Sequence, residues 1–313
     1  MRKFLVAMLL LVCIGFFCAY IFIPSKIYFS EAVVIRVDRN NATRFLMDEN
    51  NWKKWWPEKN NNPDSAHKVI YLYKNYSYSV DLKMLKGDSI LITNNDQQIH
   101  SLLNIIPVST DSIAVQWAGQ LSTALSGFKR FENYLESKKI KNNIDDLLHS
   151  MKTFLEKEEN LYGLVIDQIK VTDTLLVAKQ YSSQAYPTTA EIYNLITDLK
   201  NYISKEGATE TSNPMLHVNY DSGVFRTMVA IPVNKILPET NNFIFRRMVP
   251  GKILTAEVKG GTHTAENAIK QIEMYMNDYH LVAPAIPFQS LVTDRSKEPD
   301  TTKWVTKIFY PVM

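Results

Sequence analysis

The chain has 313 residues, 46% hydrophobic and 21% charged, with a formal net charge of +3. That length allows about two domains, and the composition excludes a disordered, collagen-like or low-complexity polypeptide. The near-even charge argues against nucleic acid as the main partner, and the confinement of both cysteines, Cys13 and Cys18, to the first apolar segment removes disulfides, Cys-ligated zinc and thiol nucleophiles from the rest.

Residues 4–23 carry no charge; Arg2 and Lys3 precede them and Pro24, Ser25 and Lys26 follow. A helix of that length reaches about 30 Å, the thickness of a bilayer core. A cleavable signal peptide needs a shorter apolar core and a small-x-small site, which Phe22-Ile23-Pro24 does not offer. A buried core helix fits poorly with a run that is apolar all round. The expectation is an uncleaved single-pass membrane anchor within residues 1–26. Its basic N-terminus would be cytoplasmic and the body extracytoplasmic, periplasmic in a Gram-negative source.

Ile27, Phe29, Ala32, Val33, Val34, Ile35 and Val37 then read as a strand. A polar turn at 38–41 and a short helix at 42–47 follow. A second short helix, capped by Asn50 or Asn51, carries Trp52, Trp55 and Trp56 before Pro57. β-rich runs at 68–73, 76–85, 89–93, 97–106 and 112–118 are separated at hairpin distances by turn-forming clusters. Ile144, Leu147, Leu148, Met151, Phe154 and Leu155 form one helical stripe.

This order of elements, together with Ile23-Pro24-Ser25-Lys26, Phe45-Leu46-Met47-Asp48 and Trp52-Lys53-Lys54-Trp55-Trp56-Pro57, resembles the START-like (SRPBCC, polyketide cyclase-like) superfamily over about residues 24–159. The resemblance implies a helix-grip domain at 27–160, an antiparallel sheet around a long C-terminal helix, with a deep apolar cavity for a hydrophobic molecule. Trp52 and Trp55, spaced i, i+3, also read as simple packing of the small helix onto the sheet. Trp56 has a further reading at a membrane surface. All three are retained as candidate ligand contacts.

The polar run 156–162 and Gly163 mark a boundary, after which the chain repeats itself. Leu175–Lys179 matches Ile253–Glu257 at an offset of 78. Ile192, Leu195, Leu199 and Tyr202 match Ile269, Ile272, Met276 and Tyr279 at 77, and Phe225–Val233 matches Trp304–Val312 at 79. Each half, about 166–233 and 243–312, reads strand, helix, strand, strand. Thr188-Thr189-Ala190-Glu191 is a capping box, Gly207 a helix stop, and Asp221-Ser222-Gly223 a hairpin turn.

The duplicated unit at 164–313 resembles the GyrI-like (bacterial transcription-activator effector-binding) domain. Val258-Lys259-Gly260-Gly261-Thr262-His263, Leu291-Val292-Thr293-Asp294 and Trp304-Val305-Thr306-Lys307-Ile308-Phe309-Tyr310-Pro311-Val312 carry the match. The resemblance implies capture of small aromatic or amphipathic molecules in a groove between the repeats, and in some branches hydrolysis. The expected layout leaves no segment for a DNA-binding helix-turn-helix. The fold class expected is α+β throughout.

Strand parity places Leu254, Ala256 and Val258 toward the helix and Thr255 and Glu257 in the groove. The repeat adds Val177 and Lys179. The family frequently carries an acid at the position of Lys307, so Lys307, and by repeat Met228, are expected to face the ligand. Tyr181, Tyr186, Tyr220, Trp304, Phe309 and Tyr310 offer flat walls. His263 reads as a surface residue at the helix entrance or as a ligand donor. His67, His100, His149, His217 and His280 are scattered, and no H-E-x-x-H, G-x-S-x-G, P-loop or G-x-G-x-x-G occurs, so neither metal nor cofactor is expected.

The function expected is a membrane-anchored protein binding small hydrophobic or amphipathic ligands, neutral or anionic in preference because a lysine replaces the acid. A hydrolase or cyclase acting in one of the cavities is the alternative, and domains serving as protein interaction surfaces are the third reading.

Overall fold

Strand β1 (Lys26–Ile35) alternates in burial, with Phe29 and Ile35 turned inward. Asp38 accepts from the backbone N–H groups of Asn40 and Asn41 at 2.8 and 3.0 Å. That cap starts helix α1 (Arg39–Leu46) inside the segment expected as a turn. Helix α2 (Glu49–Trp55) follows, then β2 (Asn62–Pro63), β3 (Val69–Tyr73), β4 (Tyr76–Asp81), β5 (Asp88–Asn94), β6 (Gln97–Ser109), β7 (Ser112–Ser122) and helix α3 (Gly127–Leu155). The computed structural model describes residues 4, 8, 14, 15, 17, 20–58, 62–63, 69–81, 88–94, 97–122, 127–171, 174–248 and 250–313. It falls into two units, Met1–Lys157 and Glu158–Met313.

In the first unit all seven strands are antiparallel, in the order β1-β7-β6-β5-β4-β3-β2. Ile140, Ile144, Leu147, Leu148, Met151 and Leu155 of α3 are all buried, and α3 packs on β1, β7 and α2. Trp52, Trp55 and Trp56 are core residues: Trp52 stands 5.1 Å from Trp55, and Trp56 meets Tyr78 edge-on at 5.3 Å. A buried indole N–H needs an acceptor. Trp52 Nε1 donates to Leu46 O and Trp56 Nε1 to Leu72 O, both at 2.7 Å.

The membrane anchor expected at residues 4–23 is corrected. Among the described residues no helix is long and apolar enough to cross a membrane, and the single-pass topology and extracytoplasmic placement of the body fall with it. A span needs about twenty consecutive apolar helical residues. Residues 20–23 are held by Arg130 of α3, which donates to Tyr20 O at 2.7 Å and Ile23 O at 3.2 Å and lies over the Tyr20 ring. Arg2, Lys3, Cys13, Cys18, His67 and the turn residues Lys86, Gly87, Asn95 and Asp96 lie outside the described residues.

The second unit runs α4 (Glu158–Tyr162), β8 (Asp167–Val171), β9 (Thr174–Ser183), α5 (Thr189–Lys205), β10 (Met215–Asp221), β11 (Val224–Val233), β12 (Ile244–Met248), β13 (Gly251–Lys259), α6 (Thr262–Asp278), β14 (Phe288–Leu291) and β15 (Val305–Val312). Thr188 and Glu191 form the capping box of α5, and Gly207, at φ 64°, ends it. Ser222 and Gly223, at φ 53° and 86°, close the β10–β11 hairpin.

The eight strands are antiparallel in the order β12-β9-β11-β10-β14-β15-β13-β8. The halves are therefore related across the β10–β14 pair, and each lends its leading strand to the other: β8 pairs with β13, and β12 with β9. Only residues 172–173 separate β8 from β9, and only 249–250 separate β12 from β13. A linker that short spans about 10 Å, so opposite edges of the sheet must approach and the sheet must curl. Helices α5 and α6 cover its outer face, α5 over Val177, Val229 and Ile231, α6 over Leu254, Ala256, Ile308 and Tyr310.

Candidate functional site

The concave, helix-free face of the second sheet encloses a cavity of about 940 Å³. The two-residue period of the strands decides what faces it. Leu176 on β9, Met215 and His217 on β10, Met228 and Ala230 on β11, Ile253 on β13, Phe288 on β14 and Pro311 on β15 all line it. Met248 closes one side, and Pro284, Ala285, Ile286 and Met313 another. Methionine is flexible and polarizable, so a wall with four of them adapts to ligand shape. The volume lies within the range of small-molecule pockets.

Among the described lining residues the charged side chains are all basic. Arg246, Arg247 and Lys252 stand at the crossing of β12 into β13, and among the described lining residues there is no Asp, Glu, Ser, Thr or Cys. Arg246 also lies 3.6 Å from Glu239, outside the cavity. His217 Nδ1 is 2.7 Å from Pro287 O. A carbonyl only accepts, so Nδ1 carries the proton in this bond. Burial pushes the imidazole below its ordinary value, with the Pro287 bond acting weakly the other way. The ring is thus neutral at pH 7, with Nε2 an acceptor.

Met228 of the sequence candidates lines the cavity directly. Phe309 stacks on Phe288, ring centroids 5.0 Å apart at 12°. Lys307 lies on the same face, opposite both Glu257 on β13 and Ser290 on β14, with Nζ 5.9 Å from the Phe309 ring. Glu257 is exposed near the end of its strand, and no ion pair joins it to Lys307 within 4 Å. Thr255 is buried on this face with Oγ1 unpartnered.

Other candidates lie elsewhere. Lys179 and Val177 are on the helix-covered face: Lys179 Nζ pairs with Asp198 of α5 at 2.6 Å, and Val177 is in the α5 core. The reason is a register error of one residue. The pairings Ile231↔Val177 and Tyr310↔Leu254 make Val177 equivalent to Leu254, an offset of 77 where 78 was read, and one residue reverses a strand's faces. The helices align at an offset of 73, since Ile192, Leu195 and Leu199 occupy the buried positions of Ala265, Ala268 and Ile272. The last-strand offset of 79 stands, with Val229 and Ile231 equivalent to Ile308 and Tyr310.

Tyr181 shares the helix side and donates to Glu191 at 2.9 Å. Tyr186 meets Phe225 edge-on at 5.7 Å, and the exposed Tyr220 packs on the same ring at 4.7 Å. Trp304 is buried and donates to Glu298 O at 2.8 Å, and His263 is exposed on the first turn of α6. Trp52, Trp55 and Trp56 sit in the first unit's core.

Sequence reasoning missed Met215, His217, Met248, Ile253, Phe288 and the basic rim. Met215-Leu216-His217-Val218 carried a signal, alternating Met/His with Leu/Val. Ile244-Phe245-Arg246-Arg247-Met248 did not, because two adjacent arginines break the period of an edge strand. Among the described residues no group of three or more His, Cys, Asp or Glu side chains is disposed to hold a metal.

No protein-family model matches the chain, and no curated protein does. Among solved structures, the EcmrR C-terminal domain is similar at 18% identity and a TM-score of 0.42, covering 48% of this chain and 98% of that one. A hydrolase from Listeria innocua is similar at 11% identity and a TM-score of 0.37, with 47% and 91% covered. SAV2435 bound to tetraphenylphosphonium is similar at 13% identity and a TM-score of 0.32, with 48% and 94% covered.

Proposed function

We propose that the chain is a small-molecule binding protein, and that the concave cavity of its second unit takes an amphipathic ligand with an apolar body and an anionic head. The observation that carries this reading is the cavity's composition: an adaptable apolar wall, a rim that includes Arg246 and Lys252, and no acidic side chain among the described lining residues. Such a rim attracts an anion and repels a cation of the same shape. Among the described lining residues, one neutral imidazole stands without a carboxylate side chain or a nucleophile, which favours binding over hydrolysis.

The ligand's chain would lie along Met215, Met228, Met248 and Phe288, with Phe309 and Lys307 bordering the cavity through Phe288. The duplicated strand–helix–strand–strand halves support the GyrI-like reading of this unit. The curved sheet closed on one long helix supports the START-like reading of the first.

Calorimetric titration with decanoate, decanol and decylammonium tests the proposal on the full chain. Decanoate should bind tightest and decylammonium weakest, with the gap narrowing as salt rises. Met228→Trp, which fills the cavity, should weaken all three. Equal or tighter binding of decylammonium would remove the charge argument. Unchanged affinities in Met228→Trp would remove the cavity as the site.

A further inference from the structure

The helix-covered face of the same sheet holds a buried positive charge, and among the described residues no negative one lies against it. Arg295, between β14 and β15, is 6% exposed. Its Nη2 donates to Thr306 Oγ1 at 2.7 Å, its Cζ lies 4.8 Å from the Trp304 ring centroid, and its Nε has no partner. The titratable groups acting on it are Tyr193 and Tyr186. Asp294, its neighbour in sequence, is turned to Ser296 and Lys297. Glu266 of α6 acts on Tyr186 and is exposed.

A second orphan stands beside it. Gln289 is 4% exposed, its amide lies against the Tyr186 hydroxyl, and its Oε1 has no partner. The Tyr193 hydroxyl accepts the Arg295 backbone N–H at 2.6 Å and donates to Thr293 O at 3.2 Å, which fixes the loop that presents the guanidinium. Burial raises both tyrosines above their ordinary value, so neither becomes a phenolate at neutral pH to compensate Arg295. Burying a guanidinium without a counter-charge is strongly unfavourable. Tyr186 and Tyr193 are themselves half-buried, so the cluster reaches solvent through them.

We infer that Arg295 and Gln289 form a second binding site, distinct from the concave cavity, for a small aromatic monocarboxylate that carries its own hydrogen-bond donor. The unpartnered Nε of the guanidinium suits a carboxylate. Gln289 Oε1 accepts only, so it requires an O–H or N–H from the ligand. The half-buried Tyr186 supplies an aromatic surface for a ring.

The test uses the full chain with 4-hydroxybenzoate, benzoate and 4-hydroxybenzyl alcohol, read by calorimetry and by the rise in melting temperature. 4-Hydroxybenzoate should bind saturably, the alcohol should not, and Arg295→Met should lose at least about tenfold in affinity. Gln289→Leu should bind benzoate as the wild type does but no longer prefer 4-hydroxybenzoate. Lys252→Gln should leave this site unchanged while weakening decanoate, which separates the two sites. Without ligand, Arg295→Met should melt no lower than wild type, because an uncompensated charge has been removed. Should that variant not fold, Arg295→Lys, which keeps the charge and loses the planar edge, should bind several-fold more weakly. No heat and no thermal shift with wild type, or affinity unchanged in the Arg295 variant, would overturn the proposal. So would equal weakening by Lys252→Gln.

Discussion

Gly119→Ala probes the β1–β7 closure that shapes the first unit. Gly119 lies opposite Phe29 on β1 and Ser101 on β6. A Cβ added there would stand 2.4 Å from Phe29 Cζ, and 2.9 Å from both Phe29 Cε2 and Ser101 Cβ. Neither neighbour can withdraw easily. Phe29 is 5% exposed, while Ser101 Oγ donates to Ile90 O at 2.7 Å and accepts from Trp117 Nε1 at 2.9 Å. Overpacking commonly costs about 1–3 kcal/mol, and three contacts inside 3.0 Å against fixed neighbours place this one near the upper end, about 3 kcal/mol. For a domain of this size that is a fall in melting temperature of roughly 6–12 °C. The assay is thermal unfolding followed by near-ultraviolet circular dichroism, which senses the first unit's tryptophans. In a Phe29→Ala background the added methyl has room, and its cost should drop below about 1 kcal/mol. A Gly119→Ala chain that melts within a degree of wild type would refute the Phe29–Gly119 register.

Because burial holds His217 below its ordinary value of 6.5, the unfolded chain takes up a proton near pH 6.5 that the folded chain refuses. Its contribution to stability is therefore full above that pH and is lost as pH falls toward the folded value. Urea midpoints of His217→Gln should show a shallower acid slope than wild type, and identical slopes would contradict the burial argument. Lys179→Met removes an ion pair whose side chains are 24% and 49% exposed, so it should cost at most about 1 kcal/mol in chemical denaturation and leave decanoate affinity unchanged. A loss of affinity would return Lys179 to the ligand side. Leu199→Ala and Ile272→Ala, both at fully buried positions related by the repeat, should each cost about 2–5 kcal/mol in urea unfolding; a cost below 1 kcal/mol at either would break the helix alignment.

Local signals carried furthest where chemistry is local. The Thr188–Glu191 capping box, the Gly207 stop, the Ser222-Gly223 turn and the α3 stripe are each set by a few adjacent residues, and all are present. The duplication was legible too, but its register was not. Val177 and Leu176 are equally apolar, so hydrophobicity does not say which faces α5, and the one-residue ambiguity sent Lys179 to the wrong face. The exchange of β8 and β12 between halves left no local trace, since it depends on which distant edge accepts each strand. The cavity rim built by that exchange was invisible for the same reason. The apolar run at 4–23 gave a strong membrane signal, yet hydropathy alone does not report a partner such as Arg130 on the described end of that run.

The proposed ligand site is the concave face of the second sheet. The most direct measurement is photo-crosslinking of the full chain with a decanoate carrying a terminal diazirine, followed by peptide mapping with excess decanoate as competitor. Competed labels are expected on the strands that bear Met215, Met228, Met248 and Phe288. Competed labels confined to residues 27–157, or to α5 and α6, would contradict it.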